Sequence, residues 1–393
     1  MNTLLSGAPS ELEDSEHLPG PSQFGFGTPS RTPAELSLDR KPRKKLFHRA
    51  RPDTSQRIRR AFQWVFLAVN VWIGGQFYLW VRHYETIGQS SYVSRPAGVE
   101  GWLPIAGLMN FKYWLVSGRV PAIHPAAMFL LLAFGAISFL FRKAFCSWLC
   151  PVGTLSECLW RAGRTLFRRN FALPRWVDVP LRGVKYLLLG FFVWAVASMS
   201  AAGIAEFMRS PYGVIADVRM LNFFRYLGST AAIVLAVLVI ASVFIQNFWC
   251  RYACPYGALL GLTALMSPLR IWRSEAACID CMKCAKACPA QLPVDCLITI
   301  RSAECTGCLE CIAACPSDGA LQMGLPAFAG KARPKIAPWA MAVGIAALFL
   351  GIVGYAKTSG RWNSQVTPGV YRQLVPQAND AEHPIPGRFE PSE

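Results

Sequence analysis

Two short cysteine runs between Cys278 and Pro316 leave this part of the chain few ways to fold. Each run reads Cys-x2-Cys-x2-Cys-x3-Cys-Pro. Three closely spaced thiolates in a tight loop can bind three corners of an iron–sulfur cubane, and the fourth corner needs a cysteine from elsewhere in the chain. Pro289 and Pro316 stop each run from continuing as a helix and turn the chain away. The spacing therefore predicts two 4Fe–4S clusters.

The same spacing occurs in bacterial ferredoxins, where the fourth cysteine of each run binds the cluster of the other run. We therefore expect one cluster to be held by Cys278, Cys281, Cys284 and Cys315, and the other by Cys305, Cys308, Cys311 and Cys288. The alternatives are zinc ribbons and disulfides. Zinc ribbons use paired Cys-x2-Cys units rather than triplets followed by Cys-Pro. The 14 cysteines of the chain are clustered at spacings typical of metal ligands. This pattern indicates a protein of a reducing compartment rather than a disulfide scaffold.

Outside these runs the composition is typical of a membrane protein. Hydrophobic residues make up 53% of the 393 residues and charged residues only 16%, whereas charged residues form about 25% of soluble domains. Five apolar stretches approach the ~20 residues that cross a bilayer. They are Ala61–Val81, Val120–Phe141, Tyr186–Ala205, Tyr226–Trp249 and Ile336–Ala356. A shorter stretch, Trp102–Val116, contains Pro104 and Lys112, so we expect it to be interfacial or re-entrant.

The basic residues indicate the orientation of these spans. Most of the 40 Lys and Arg residues fall in segments 40–60, 142–185 and 250–337. Basic loops face the cytoplasm, so the N-terminus and the two cysteine runs are predicted to be cytoplasmic and the C-terminal tail periplasmic, in a bacterial inner membrane. The net charge of +17 is then a topology signal, and nucleic acid is not an expected partner.

These assignments divide the chain into six parts. They are a disordered cytoplasmic tail (1–57), a first membrane hairpin (58–160), a second hairpin (161–270), a two-cluster domain (271–333), a fifth transmembrane helix (334–357) and a periplasmic tail (358–393). No apolar signal-peptide region follows Met1, so we expect none. The polar, proline-rich last segment is expected to be disordered, with docking of a partner as the alternative.

Both hairpins end in the same motif. Aromatic-Cys-x3-Cys-Pro-x-Gly-x-Leu begins at Phe145 and again at Trp249, 104 positions later. The loops within the hairpins also agree, because Asn110 and Asn222 occupy similar apolar sequences. Two copies in the same orientation imply a pseudo-two-fold axis along the membrane normal.

The duplicated motif supplies a second candidate metal site. Cys-x3-Cys places two sulfurs on one face of a helical turn, and the pseudo-symmetry can bring two such pairs together. Four thiolates suit a third iron–sulfur cluster or Cu(I); the alternative is two structural cysteine pairs that pack in the core. This candidate site consists of Cys146, Cys150, Cys250 and Cys254, here called the cysteine quartet. The remaining Cys158 and Cys296 are expected to be core residues.

Haem and quinone are further candidate cofactors with weaker signals. His83 and His124 flank the first loop and could bind a haem, but surface or capping roles are the simpler interpretation. Trp72, Tyr78, Trp102 and Trp114 could line a quinone pocket, although an aromatic belt at the membrane interface has the same sequence pattern.

With the two Cys-x3-Cys-Pro motifs ahead of a double cysteine run, residues 60–356 resemble the membrane-bound polyferredoxin family. This family includes NapH, the YccM-like electron transport proteins, the C-terminal half of NosR and the CcoG/FixG assembly factors. The resemblance implies membrane-bound electron transfer, from quinol in NapH and toward cupric ion in CcoG. From this sequence we expect neither a NosR-type flavin domain nor an extra CcoG-type domain. Val152 and Tyr256 also stand where CcoG has Gln, so the NapH-like and YccM-like members match better.

The sequence therefore predicts an all-α transmembrane protein of five spans, built on a duplicated two-helix hairpin, with an α+β ferredoxin-like insert that holds two clusters. The expected function is to relay single electrons between a membrane donor such as quinol, or a cytoplasmic donor, and a protein redox partner. Such a protein could be an electron-transfer component of a quinol dehydrogenase. A copper reductase or assembly factor that uses the cysteine quartet is the alternative, and a redox sensor is a third class.

Overall fold

The computed structural model describes residues 53–326 and 334–384, and most of these residues are helical. In chain order the helices are α1 (Ser55–Glu85), α2 (Pro104–Ser117), α3 (Pro125–Phe141), α4 (Ala144–Trp148), α5 (Pro151–Phe167), α6 (Arg175–Ser198), α7 (Ala201–Arg209), α8 (Pro211–Val214), α9 (Ala216–Arg225), α10 (Ser229–Phe244), α11 (Pro255–Leu265), α12 (Lys283–Ala287), α13 (Glu310–Ala314), α14 (Pro338–Thr358) and α15 (Pro368–Leu374). A 3-10 turn spans Ala97–Trp102 and a π-helical turn spans Trp249–Ala253. The predicted tail 1–57 lies almost entirely outside the described residues.

By length and composition, three described helices can cross a membrane: α1, α6 and α14. Helices α9 and α10 pass the same test together but bend by 80° at their junction, so they form a fourth span only if they are one broken span. Helix α3 is apolar but has 17 residues, short of the ~20 that usually cross a bilayer. The five predicted spans therefore correspond to three long helices, to α10, which is the second helix of the bent pair, and to the short apolar helix α3.

The predicted third span, Tyr186–Ala205, crosses a helix boundary. Helix α6 begins after Pro174 and ends at Ser198, and the hydroxyl of Ser200 then caps α7 by accepting a hydrogen bond from the Gly203 amide at 3.0 Å. The predicted span begins at Tyr186, later than α6 itself, because Lys185 was assigned to the preceding basic loop. In the structure Lys185 is buried and paired with a carboxylate, so its charge does not end the helix.

Helix α3 lies at the centre of the membrane module, where it packs against α2, α11 and α14. Its Phe134 ring stacks on Phe145 with the ring centroids 3.9 Å apart. A Cβ on Gly344 of α14 would lie 2.5 Å from the ring of Phe141. Gly344 is therefore needed for the close packing of α14 against α3.

Residues 358–384 of the C-terminal segment are ordered, so the expectation of disorder was wrong for them. Tyr371 of α15 is buried and meets Trp80 of α1 edge to face, with 4.9 Å between ring centroids. Arg219 donates hydrogen bonds to the backbone oxygens of Ala378 and Ala381 at 2.8 and 2.6 Å. These contacts fix the segment because they bury apolar surface and pair the backbone carbonyls.

The cysteine runs lie in a small insert between α11 and α14. Three antiparallel strands, β1 (Arg270–Arg273), β2 (Thr299–Ile300) and β3 (Leu321–Gly324), pair in the order β2-β1-β3. Ile271 of β1 lies opposite Ile300 and Met323. Helices α12 and α13 each carry the last part of one cysteine run. This arrangement is the α+β insert that the sequence predicted.

Candidate redox site

The two cysteine runs fold with the same backbone path. In the first run Asp280 and Met282 have φ of +56° and +58°, and in the second run Gly307 and Leu309, at the matching positions, have φ of +61° and +60°. These left-handed residues on either side of the second cysteine coil each run into a loop. The short helices α12 and α13 follow directly.

The structure gathers the eight cysteines into two groups. One cavity is bordered by Cys278, Cys281, Cys284 and Cys315, together with Arg273 and Asp295 among other residues. A second cavity is bordered by Cys288, Cys305, Cys308 and Cys311, together with Ile271 and Val294 among others. The fourth cysteine of each run thus lies with the three cysteines of the other run. This is the exchange expected for a two-cluster ferredoxin.

The chemistry of these thiols fits an iron–sulfur cluster. Burial raises the pKa of Cys311 well above its ordinary value, and the neighbouring thiols of Cys308, Cys288 and Cys305 raise it further. Buried thiols ionise readily only beside positive charge, which bound iron supplies. Within the described ranges, no three His, Cys, Asp or Glu side chains group closely enough to hold a single metal ion. The thiols instead surround a cavity, as the ligands of a multi-iron cluster do.

The second cavity lies against the membrane module. Ser147 Oγ donates a hydrogen bond to the backbone oxygen of Thr306 at 2.7 Å, and Gln56 Nε2 donates to that of Cys308 at 2.9 Å. By contrast, the first cavity is bordered only by residues of the insert, and its Asp280 and Met282 are exposed. The Cys305–Cys311 loop therefore faces the helices, and the Cys278–Cys284 loop faces away from them.

Ion pairs hold the second loop in this position. Arg59 of α1, which is buried, bonds Glu310 at 2.9 Å and Glu157 of α5 at 2.7 Å. Lys185 of α6 donates to both carboxylate oxygens of Glu304 at 2.6 and 2.7 Å. Sequence reasoning missed these residues. Their only sequence signal was that Glu304 and Glu310 lie within the cysteine-rich segment, in a chain with few acidic residues.

The cysteine quartet also comes together. Cys146, Cys150, Cys250 and Cys254 all border one large cavity of about 1530 Å³ in the membrane module. Cys150 and Cys254 each precede a helix that begins with proline, a residue whose fixed φ favours the first helical position. A Cβ on Gly153 would overlap the carbonyl oxygen of Cys146, which explains the glycine of the first motif, whereas a Cβ on Gly257 of the second motif would lie 3.5 Å from the Cys250 oxygen.

The other three thiols of the quartet lie close enough to Cys250 to raise its pKa. Burial raises the pKa of Cys250 well above its ordinary value, and the thiols of Cys150, Cys254 and Cys146 raise it further. Four soft sulfurs that border a cavity fit a multi-iron cluster, which brings its own positive charge, better than a single metal ion.

The large cavity extends from the quartet along α1 toward Gln76 and Arg95. Its walls are mostly apolar side chains of α1, α3, α6 and α14, such as Phe66, Leu130 and Leu189. Of the aromatic residues proposed for a quinone pocket, Trp102 borders this cavity, whereas Trp72, Tyr78 and Trp114 are not among its lining residues. Tyr256, directly after the second Cys-Pro, does border it.

The two histidines considered for haem have other partners. His83 Nδ1 lies 2.6 Å from the Ser90 carbonyl oxygen. Both ring nitrogens of His124 are occupied, Nε2 with the Gly213 oxygen at 2.9 Å and Nδ1 with Glu100 at 3.3 Å. His124 therefore does not offer an axial ligand and belongs instead to a buried polar cluster.

This polar cluster joins Glu100, His124, Arg95 and Asp217, and its Arg95 also borders the large cavity. Arg95 bonds Glu100 at 2.9 Å and Asp217 at 2.7 Å, which ties the first repeat to the second. Sequence reasoning did not identify it, because its members are scattered over 122 positions.

The two remaining cysteines are not alike. Cys158 is partly buried, in keeping with the packing role expected for it. Cys296 is exposed, so its assignment to the core was wrong. The apolar sequence around it misled the prediction, since Leu297 and Ile298 are exposed as well.

Comparison with known families and proteins agrees with this geometry. The model of a 4Fe–4S binding domain matches residues 123–174 and 227–272, and each match contains one Cys-x3-Cys-Pro motif. The model of a 4Fe–4S dicluster domain matches residues 270–316. No solved structure matches the chain.

Curated proteins match as well. YccM of Escherichia coli (strain K12), named for electron transport, is 52% identical over 322 residues, which are 81% of this chain and 90% of YccM. NirI of Paracoccus denitrificans (strain Pd 1222) is 32% identical over 49% of this chain and 28% of NirI. The ferredoxin-type protein NapH of Escherichia coli (strain K12) is 26% identical over 38% of this chain and 48% of NapH. The chain therefore belongs to the membrane-bound polyferredoxin family, as a YccM-like electron transport protein with 4Fe–4S domains.

Proposed function

We propose that the protein carries single electrons between a lipid-soluble quinol in the membrane and a protein redox partner in the cytoplasm. The first set of ligands is Cys278, Cys281, Cys284 and Cys315, and the second set is Cys288, Cys305, Cys308 and Cys311. Bound clusters supply one-electron carriers whose potentials depend on the surrounding charge and hydrogen bonds. The observation that carries the proposal is the grouping of these eight cysteines around two separate cavities.

The contacts of the insert suggest which set serves which partner. The second set lies in the loop that Ser147, Gln56 and Arg59 hold against the membrane helices. The first set lies in the loop with exposed Asp280 and Met282. We therefore assign the second set to exchange with the membrane module and the first set to exchange with a soluble partner.

The cysteine quartet is the proposed link between the insert and the membrane. Cys146, Cys150, Cys250 and Cys254 would hold a third metal centre, and an iron–sulfur cluster is favoured over copper because both matches to the 4Fe–4S binding-domain model include the motif. The apolar cavity beside the quartet would hold the quinol, since its lining resembles that of sites for apolar ligands. Exposed residues of its wall, such as Val65 and Leu350, leave it open toward the lipid side.

The proposed orientation follows the basic loops. The insert and the N-terminus lie in the cytoplasm of a bacterial inner membrane, and residues 358–384 lie on the periplasmic face. This orientation needs an odd number of crossings, which five spans provide if α3 and the bent pair α9–α10 both cross.

Metal analysis and spectroscopy of the purified protein test the proposal. Two clusters give about eight irons per chain, and a third cluster gives about twelve. Addition of quinol should reduce the clusters, and electron paramagnetic resonance (EPR) detects this reduction. Stoichiometric copper that is lost in Cys146→Ala would favour a copper-handling protein instead, and clusters that dithionite reduces but quinol does not would remove quinol as the donor. Cys296→Ala, a change at an exposed cysteine, is the matched control.

A further inference from the structure

Lys143 is a buried cation at the entrance to the first Cys-x3-Cys-Pro motif. Its side chain is only 3% exposed. The side chain reaches toward the second motif, where its Nζ lies 3.5 Å from the position that a Cβ on Gly257 would occupy. One lysine thus lies close to both halves of the duplicated site. The matching position in the second repeat is Asn247, which carries no charge.

The charges around Lys143 do not balance without the thiols. Glu304 is the nearby carboxylate, and Lys185 binds both of its oxygens. Lys143 itself makes no ion pair with any carboxylate among residues 53–326 and 334–384. The neighbouring Arg142 is also buried, but its guanidinium donates to the backbone oxygens of Ala264 and Ser302 at 3.1 and 2.6 Å.

A surplus positive charge in a buried region is costly unless an anion lies nearby. Thiolates of the quartet are the proposed source of that negative charge. Lys143 precedes Cys146 by three residues, and its Nζ approaches Gly257, which follows Cys254 by three residues. The lysine therefore interacts favourably with thiolates at this site.

We propose that Lys143 is the cation that compensates the negative charge of a thiolate-bound metal centre at the quartet and raises the reduction potential of that centre. This inference rests on the metal centre proposed above. A bound centre would become more negative by one charge on accepting one electron from the proposed quinol donor, and the positive charge of Lys143 would favour that change. No bond forms or breaks at Lys143 in this step. Lys143 contributes its positive charge near the centre and does not bind the metal.

A redox titration followed by EPR tests the inference in the full-length protein. Lys143→Met removes the charge but keeps the length of the side chain, whereas Lys143→Arg keeps the charge. We expect Lys143→Met to disfavour one-electron reduction of the quartet centre about tenfold, a shift of about 59 mV to more negative potential. Lys143→Arg and the control Lys283→Gln, at an exposed lysine of the insert, should leave the potential near that of the wild type.

The possible outcomes separate this inference from the proposed function. If the quartet centre has the same reduction potential in Lys143→Met as in the wild type, only this inference is overturned and the proposed function stands. A wild-type protein with about eight irons and no other metal overturns both the quartet centre and the inference, but leaves the two-cluster insert standing. If Lys143→Met loses the centre, retention of metal and potential in Lys143→Arg supports charge compensation, and loss in both variants overturns it.

Discussion

Trp148 Nε1 donates a hydrogen bond to the backbone oxygen of Gly307 at 3.2 Å, and both groups are buried. Trp148 lies between the two cysteines of the first quartet motif, and Gly307 lies between two cysteines of the second run. This bond therefore joins the two proposed metal sites through a few residues. The same glycine has φ of +61°, and a Cβ there would lie 3.1 Å from the Phe141 oxygen.

We expect Gly307→Ala to separate the insert from the membrane module. A left-handed backbone costs a residue with a Cβ about 1 kcal/mol, and the Cβ would also press on the Phe141 oxygen. Gly319→Ala is the matched control, because Gly319 has φ of +71° but only Gln322 Nε2 lies near its Cβ position, at 3.6 Å. Iron content and thermal unfolding should fall more in Gly307→Ala than in Gly319→Ala. Equal losses would mean that backbone conformation alone matters.

The exchange of the fourth cysteine gives a second prediction. Cys315→Ser should remove the same EPR signal as Cys284→Ser, although Cys315 belongs to the other run, because both border the first cavity. Cys288→Ser should instead match Cys308→Ser. Cys296→Ser, at an exposed cysteine, should leave both signals intact. If Cys315→Ser behaved like Cys308→Ser, each run would bind its own cluster.

The sequence predicted the grouping of these cysteines because ligand spacing is local and the run is duplicated. The ligand roles themselves stay a prediction. The sequence did not show Arg59, Lys143 or Lys185 as parts of the site, since each meets partners far along the chain. Lys185 and Glu304, for example, are 119 positions apart. A charged residue in an apolar stretch then looks like the end of a span, whereas in the structure a remote carboxylate pairs with it.

Contacts between residues far apart in the chain also explain why the order of the C-terminal segment was not predicted. Its composition is polar and rich in proline, which favours disorder. Tyr371 and Val375 nevertheless bury their side chains against the membrane module. Two apolar residues one turn apart are too weak a pattern to predict that docking from sequence.

Acid should weaken the attachment of α1 to α5. Burial would raise the pKa of Glu157, but the hydrogen bond and charge of Arg59 outweigh burial, with a further hydrogen bond from Gln63, and hold the pKa at about 2. The folded-state pKa is below the unfolded value of about 4.3. The pair therefore contributes its full stability, up to roughly 3 kcal/mol, above that value and loses it as the pH falls toward 2.

Thermal unfolding in detergent checks this pH dependence. The difference in melting temperature between the wild type and Glu157→Gln should be constant from about pH 6 to 8 and shrink below about pH 5. Glu206→Gln, at an exposed carboxylate of α7, should show no such dependence. A difference that persists unchanged at low pH would mean that Glu157 stabilises the protein through packing rather than through its charge.

The cavity beside the quartet can be filled without touching a cysteine. Ala346 of α14 borders the cavity, whereas the next residue, Ala347, is exposed on the outside of the same helix. We expect Ala346→Trp to slow quinol-dependent reduction of the clusters at least tenfold, because the indole occupies the space that the apolar ligand needs. Ala347→Trp should have little effect. Dithionite should still reduce the clusters of both variants, which separates loss of quinol binding from loss of the clusters. Unchanged quinol-dependent reduction in Ala346→Trp would mean that the donor binds elsewhere, and the cavity would then have no part in electron entry.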